Sequence, residues 1–369
     1  MIDDFILNEY KARQSWDRRD YRGAMLLAKA AADIASSGSD EAGWWRMTFL
    51  YGECQLELGD MDGCTETARL LTEHPLSKND PEFGGKAKAL LSLGLQGIGH
   101  LPQALAVARD AAVESADIGH GGRGKVEAQQ ALVAALGVSG NLDDAWSEAQ
   151  ILAEMVREEP GMEKVGKAYW AIGNVAFLKG ENREATHYHD LAASKLSPGS
   201  DVSLWALFNK ASAFMRLTAD LVEPETLQCI ERAEMALSIA GGTPQDQLDV
   251  AMTRAYWTYL TGDISCARQQ MEPVLSDAHL MAPHGEAEAR FLMARIVADE
   301  GDLMEADKQV SASAALFDKA GAAARASQAR AFHKQLLVAP GRANDSLADG
   351  QRTENGSEFS GNPRSSADN

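Results

Sequence analysis

The chain has 369 residues, and 45% of them are apolar, so it holds enough apolar side chains to bury a large core. Its formal net charge of −19 repels the phosphates of nucleic acids and the anionic surfaces of membranes. We therefore expect no direct contact with nucleic acid and no membrane association. The opening sequence MIDDFILNEYK carries two aspartates where a secretion signal carries basic residues, and this predicts a cytoplasmic protein.

A short turn motif recurs along the chain. Each copy has a glycine, then a polar or turn residue, and a small or apolar residue five positions after the glycine. The glycines are Gly59, Gly99, Gly140, Gly180, Gly262 and Gly301, at a spacing of about 40 residues. The double gap after Gly180 predicts a degenerate copy around Thr218, and Arg19 takes the glycine position in a first copy. The motif therefore predicts eight repeats.

Small side chains flank each turn at fixed distances. Seven residues before the turn stand Ala12, Gly52, Ser92, Gly173, Ala255 and Ala294, with the larger Val133 in the fourth copy. Five residues after it stand Ala24, Cys64, Ala104, Ala145, Ala185, Ala267 and Ala306. Two antiparallel helices approach closely only where neither carries a bulky side chain. Because the other apolar residues recur with helical spacing, the pattern predicts an all-α chain of helical hairpins.

Two segments carry a resemblance to a known family. FLYGECQLELGDMDGCTETARLL (49–71) and AYWAIGNVAFLKGENREATHYHDLA (168–192) resemble tetratricopeptide repeats. The usual period of that family is ~34 residues, and HEAT-type repeats are longer, but the Gly-Asp/Asn turn followed by Ala favours the tetratricopeptide interpretation. The resemblance implies a right-handed superhelical solenoid of about eight antiparallel hairpins over residues 1–337. Such long repeats are similar to those of bacterial peptide-sensing regulators and of the sensor halves of helix-turn-helix transcription factors.

A glycine-rich segment, IGHGGRGKV (118–126), matches the G-x-x-x-x-G-K core of a phosphate-binding loop. Such a loop needs a strand before it and a Ser or Thr after the lysine to hold Mg²⁺. Here the preceding residues have a helical pattern, and Val126 follows Lys125. We interpret the segment as the connection between the third and fourth hairpins, and we expect no nucleotide and no other cofactor.

Residues 129–146 resemble a DNA-reading helix-turn-helix. Gly140 is one of the repeat glycines, so the repeat accounts for the turn. The helix predicted after it carries Asp143, Asp144 and Glu148 and has no Arg or Lys that could read a base. Phosphates would repel this helix, so we expect no DNA contact through it.

Sequence patterns for catalysis or metal binding are sparse. No H-E-x-x-H or G-x-S-x-G motif is present, and His187 and His189 lie two residues apart, which places them on different faces of a helix. The cysteines lack C-x-x-C spacing and are interpreted as small reduced core residues; they are Cys54, Cys64, Cys229 and Cys266. We therefore expect neither an enzyme nor a metal site.

The resemblance implies that the first helix of each hairpin lines a concave groove, through residues ten, six and three before the turn position. In the first four copies these are Glu9, Arg13, Trp16; Phe49, Glu53, Leu56; Ala89, Leu93, Gln96; and Gln130, Ala134, Gly137. The C-terminal half is richer in aromatic residues, and from it we predict a binding surface of Trp170, Asn174, Phe177, Trp205, Phe208, Tyr256, Tyr259 and Arg295. The Asn174 amide is suited to a peptide backbone, and Arg295 to a carboxylate. The alternative is that these rings pack against the next hairpin.

The last segment, 338–369, is rich in Gly, Ser, Asn and Asp, and this composition predicts a disordered tail. The function predicted for the whole chain is binding without catalysis: a scaffold or receptor that holds a protein or peptide in its C-terminal groove. The alternative is a regulatory sensor, similar to tetratricopeptide transcriptional regulators, without its own DNA-binding domain. A nucleotide-dependent ATPase would require the 118–126 loop. The sequence leaves the partner and the oligomeric state open, including a homo-oligomer.

Overall fold

The computed structural model describes residues 2–116, 124–157 and 161–338. These ranges contain eighteen α-helices and one short 3-10 turn (Ala278–Leu280), and they contain no strand. The helices are α1 (Ile2–Asp17), α2 (Tyr21–Ser37), α3 (Glu41–Glu57), α4 (Met61–Glu73), α5 (Pro75–Asn79), α6 (Pro81–Gly97), α7 (Leu101–Ala116), α8 (Lys125–Val138), α9 (Leu142–Met155), α10 (Met162–Lys179), α11 (Asn182–Lys195), α12 (Val202–Thr218), α13 (Pro224–Ala240), α14 (Pro244–Leu260), α15 (Ile264–Ser276), α16 (Pro283–Asp299), α17 (Leu303–Ala320) and α18 (Ala323–Val338). The predicted all-α architecture is confirmed.

Consecutive helices form the predicted hairpins. The eight pairs are α1/α2, α3/α4, α6/α7, α8/α9, α10/α11, α12/α13, α14/α15 and α16/α17, and α18 packs on α17. The short helix α5 lies between the second and third hairpins. Residues 129–146, which resemble a helix-turn-helix in sequence, therefore belong to the fourth repeat hairpin, α8/α9, whose turn is at Gly140.

The turn within every hairpin contains one residue in the left-handed region of backbone space. Glycine supplies it at the six predicted positions, where φ is near 80° or above, because glycine adopts this conformation without steric cost. In the first and sixth hairpins the position is held by Arg19 (φ 62°) and Asp220 (φ 55°). The degenerate copy predicted around Thr218 thus has its turn at Asp220. Where an aspartate follows the turn, it caps the next helix; Asp60 accepts a hydrogen bond from the Gly63 N–H at 3.0 Å.

The small residues that flank the turns lie at the helix contacts. Those five residues after the turn are completely buried, as predicted: Ala24, Cys64, Ala104, Ala145, Ala185, Ala267 and Ala306. On the opposing helix, a Cβ added to Gly173 would lie 2.2 Å from Cδ2 of His189. The hairpins therefore depend on the absence of side-chain volume at these positions.

Successive turns of the superhelix contact each other directly. The turn of the second hairpin lies against the start of the seventh, where a Cβ on Gly59 would be 3.1 Å from the Thr243 methyl group. The turn of the third hairpin meets the start of the eighth in the same way, through Gly99 and Pro283. About five hairpins therefore complete one superhelical turn.

Two predicted segments fall mostly or wholly outside the described residues. Of the glycine-rich connection, residues 118–123 are outside them, whereas Gly124 has a φ of 101° and Lys125 begins α8. The predicted tail begins at Val338, which is the last residue of α18, and its remaining residues, 339–369, are outside them. None of the described helices combines the length and the apolar character needed to cross a bilayer.

Candidate ligand-binding cavity

The first superhelical turn surrounds a cavity of about 500 Å³. Its walls come from the first helix of each of the first five hairpins: α1, α3, α6, α8 and α10. The lining residues are Trp16, Phe49, Glu53, Leu56, Glu57, Lys86, Ala89, Leu90, Leu93, Val126, Glu127, Gln130, Ala131, Ala134, Gly161, Glu163, Lys164 and Lys167. The volume lies within the roughly 300–1,000 Å³ of small-ligand sites in proteins.

Helical periodicity explains why these side chains converge. Phe49, Glu53 and Leu56 stand four and three residues apart on α3, so they share one face of that helix. They are among the positions that the repeat spacing predicts to face the groove. Eight of the positions predicted in the first four copies line the cavity: Trp16, Phe49, Glu53, Leu56, Ala89, Leu93, Gln130 and Ala134.

The charged residues at the rim were not predicted. Lys164 Nζ lies 2.8 Å from Glu127 Oε1, and both side chains are about two-fifths exposed. Lys86 Nζ lies 2.8 Å from Glu82 Oε1 on the same helix. The helical period would have found two of them, because Glu127 and Lys86 each stand one turn before an inner-face position that was predicted.

A network of ion pairs connects α10 to α3 on one side of the cavity. Lys167 Nζ lies 3.0 Å from Glu163 and 4.0 Å from Glu57. Burial raises the pKa of the Glu57 carboxyl above its ordinary value, although Lys167 opposes this shift. Burial alone would lower the pKa of Lys167, but the attraction of Glu57 and Glu163 outweighs it and raises that pKa. Lys167 therefore stays charged, with both carboxylates beside it.

Glu53 differs from the other charged residues of the cavity. Its side chain is half-buried on the inner face of α3, and it makes no hydrogen bond or ion pair with any residue in the part of the chain that the structure describes. Burial raises the pKa of Glu53 to about 7; Glu57 and Glu127 add to the shift, and Lys167 and Lys86 oppose it. The cavity thus contains one carboxyl group that lacks a partner.

The predicted C-terminal site residues fall into two groups. In the first, Phe177 and Phe208 are 5% and 3% exposed. The rings of Trp170 and Phe208 meet edge to face at 5.8 Å, and Trp205 is half-buried one turn before Phe208. Asn174 Oδ1 lies 3.1 Å from Nε2 of the buried His189. Most of this group packs within the solenoid.

The second group consists of Tyr256, Tyr259 and Arg295. Arg295 donates a hydrogen bond of 2.6 Å to the Tyr256 hydroxyl, and its guanidinium lies over both tyrosine rings at 5.3 and 5.1 Å. The Tyr259 hydroxyl donates to Asp299 at 2.6 Å. The space beside Tyr256 and Arg295 amounts to only about 10 Å³. The structure does not bring this group together with Trp170, and ligand binding by either group stays a prediction.

The two remaining sequence predictions concern histidines and cysteines. His187 is exposed, whereas His189 is buried, so they lie on different faces of α11 as expected. All four cysteines are free thiols; three are buried, and Cys266 is half-buried.

No protein-family model matches the chain, and no curated protein matches it in sequence. It is similar to solved structures of Rap proteins. The Rap conjugation gene regulator of plasmid pLS20, in complex with the Phr* peptide, is 16% identical, with a TM-score of 0.56 over 75% of this chain and 74% of that protein. The apo form of RapI is 12% identical, with a TM-score of 0.52 over 79% and 99%.

A Rap protein complexed with competence and sporulation factor is also 12% identical, with a TM-score of 0.53 over 90% of this chain and 86% of that protein. At these identities the likeness concerns the fold. The chain therefore has the helical-repeat solenoid fold of the Rap proteins, and the resemblance to tetratricopeptide repeats is confirmed at that level.

Proposed function

We propose that the protein is a non-enzymatic receptor that binds a short peptide in the cavity of its first superhelical turn and acts as a cytoplasmic regulator. The observation that carries this proposal is the cavity itself, which is walled by five inner helices. The Rap solenoids support it, because one is bound to the Phr* peptide and another to competence and sporulation factor.

The chemistry of the cavity suits a peptide. Trp16, Phe49 and Leu93 provide an apolar wall, and burying an apolar side chain against such a wall contributes roughly 1.5–3 kcal/mol. The Gln130 amide both donates and accepts hydrogen bonds, as a peptide backbone requires. The volume admits several side chains of an extended segment and excludes a folded domain.

A second candidate function is the scaffold predicted from the sequence, which would hold a protein segment against the C-terminal residues. One observation favours it: the indole Nε1 of Trp170 is buried and has no hydrogen-bond partner among the described residues. Because a buried N–H without a partner costs about 1–3 kcal/mol, a ligand whose binding turns this ring towards the groove and offers a carbonyl would relieve the cost.

Selection from a pool of random hexapeptides on the immobilised full chain tests both proposals. We expect wild type to retain a subset of peptides and Ala134→Trp, which fills the cavity, to lose them. Ala315→Trp, at an exposed position of α17, is the matched control and should retain them. Peptides that survive Ala134→Trp but are lost from Trp170→Ala/Tyr256→Ala would move the site to the C-terminal half. A wild type that retains no peptide would contradict peptide binding altogether.

A further inference from the structure

We propose that the ligand of the cavity carries a cationic group, an ammonium or a guanidinium, and that this group pairs with Glu53. The inference rests on the proposed peptide-binding function and specifies its ligand class. Among the charged residues that line the cavity, Glu53 is the one that makes no ion pair with any residue that the structure describes.

The three lysines that line the cavity already have partners. Lys164 pairs with Glu127, Lys86 with Glu82, and Lys167 with Glu163 and Glu57, all at 4.0 Å or less. Lys167 and Lys86 act on Glu53 only at a distance, and Glu53 makes no ion pair with any lysine within the described ranges. The Glu53 carboxylate would therefore repel an anionic ligand group, whereas a cationic ligand group would form an ion pair with it.

The surroundings of Glu53 also favour a cation on an apolar stem. Phe49 precedes it by one helical turn on α3, and Trp16 and Leu93 line the same cavity. A lysine or arginine side chain would lay its methylene groups along this wall and place its charge at the carboxyl. The aromatic rings would attract the same charge through their faces. A peptide N-terminus offers the same cation on a shorter stem.

The pairing makes binding depend on pH. The charged groups that face Glu53 are Lys167 and Glu57, with Glu127 and Lys86 from the neighbouring helices. A cationic ligand binds the ionised carboxyl, and burial raises the pKa of this carboxyl to about 7. As pH falls below 7, the carboxyl must first lose a proton, so the affinity should fall by up to about tenfold per pH unit.

The test uses two random hexapeptide pools, one with free N-termini and one N-acetylated, with selection at pH 8 on wild type, Glu53→Gln and Glu41→Gln. Glu41 lies at the exposed start of α3 and is the matched control. We expect wild type and Glu41→Gln to enrich Lys or Arg, or to require the free N-terminus. Peptides selected on wild type should bind Glu53→Gln roughly tenfold or more weakly. Thermal unfolding of each variant verifies that it is folded.

The possible outcomes separate this inference from the function on which it rests. Enrichment of Lys or Arg in the acetylated pool identifies a side chain as the cation, and binding confined to the free pool identifies the N-terminal ammonium; both support the pairing. Peptides retained without any basic preference overturn the inference and leave peptide binding intact. A basic preference that persists in Glu53→Gln overturns Glu53 as the partner. Retention of no peptide overturns both proposals.

Discussion

Arg19 Nη2 lies 2.7 Å from Glu163 Oε2, although 144 residues separate them in the chain. Arg19 occupies the turn of the first hairpin, and Glu163 begins the fifth. Arg19 Nε also lies 3.2 Å from Asp201, whose side chain is only 5% exposed. These ion pairs join the two ends of the first superhelical turn, and they therefore close the ring of helices around the cavity.

Replacing Arg19 with glycine should separate its two roles. The change relieves the left-handed backbone, which costs an ordinary residue roughly 1–2 kcal/mol, but removes both ion pairs. Because Asp201 is left buried with fewer partners, we expect Arg19→Gly to lower the free energy of unfolding by about 1–2 kcal/mol. Asp220→Gly relieves the same backbone strain without breaking an ion pair and should raise it by up to about 1 kcal/mol. Urea denaturation of both variants is the measurement; an equal change in the two would show that the ion pairs contribute nothing.

Glu53→Gln should change the pH dependence of stability. Burial raises the pKa of Glu53 from the ordinary 4.5 to about 7, so ionising it penalises the folded state as pH rises from 4.5 to 7. The variant should match wild type near pH 4 and be more stable at pH 8 by about 1–3 kcal/mol, because each pKa unit corresponds to about 1.4 kcal/mol and solvent in the cavity screens part of the penalty. Denaturation at pH 4, 6 and 8 measures the difference. A constant difference between variant and wild type would mean that Glu53 titrates normally.

Enlarging a buried alanine at a hairpin contact should destabilise the fold. Ala306 is completely buried five residues after the turn at Gly301, and Ala315 is exposed on the same helix. We expect Ala306→Leu to lower the free energy of unfolding by about 1–3 kcal/mol because the helices must move apart. Ala315→Leu should change it by less than about 0.5 kcal/mol. Thermal and urea unfolding provide the comparison, and a tolerated Ala306→Leu would show that the small residue is not required.

A substitution at Asn174 tests whether the C-terminal residues serve packing or ligand binding. It contacts His189, whose burial lowers its pKa to about 3 and keeps the ring neutral. Asn174→Ala leaves one ring nitrogen of His189 without this partner, so stability should fall by about 1–3 kcal/mol. The affinity of a peptide selected on wild type, measured by calorimetry, should not change if the ligand lies in the first superhelical turn. A large loss of affinity with little loss of stability would favour the C-terminal site.

Small-angle scattering distinguishes a sensor from a scaffold. A ligand that contacts both α3 and α10 bridges the second and fifth hairpins across the cavity, so a sensor should become more compact when a selected peptide is added. The radius of gyration should decrease for wild type and remain unchanged for Ala134→Trp. A bound peptide that leaves the radius of wild type unaltered would favour the scaffold.

The fold could be predicted because its determinants are local. The glycine at each turn and the small residue five positions later repeat along the chain, and even the irregular sixth hairpin was expected within a few residues of Asp220. The inner-face positions followed from the same spacing. The location of the cavity could not be predicted, because it depends on how tightly the superhelix winds and on contacts such as that between Arg19 and Glu163. Small residues such as Ala89 and Ala134 leave the cavity open in the first superhelical turn. In the C-terminal half, the larger aromatic side chains fill the corresponding space.

The contact of Gly59 with Thr243, and of Gly99 with Pro283, separates this protein from a linear array of repeats. In such an array each unit touches only its neighbours, and the ends fray independently. Here the second and third hairpins contact the seventh and eighth, which lie far along the chain, so denaturation should be cooperative. Deleting a single repeat would shift every later hairpin by one position against the hairpins that it contacts in the previous superhelical turn.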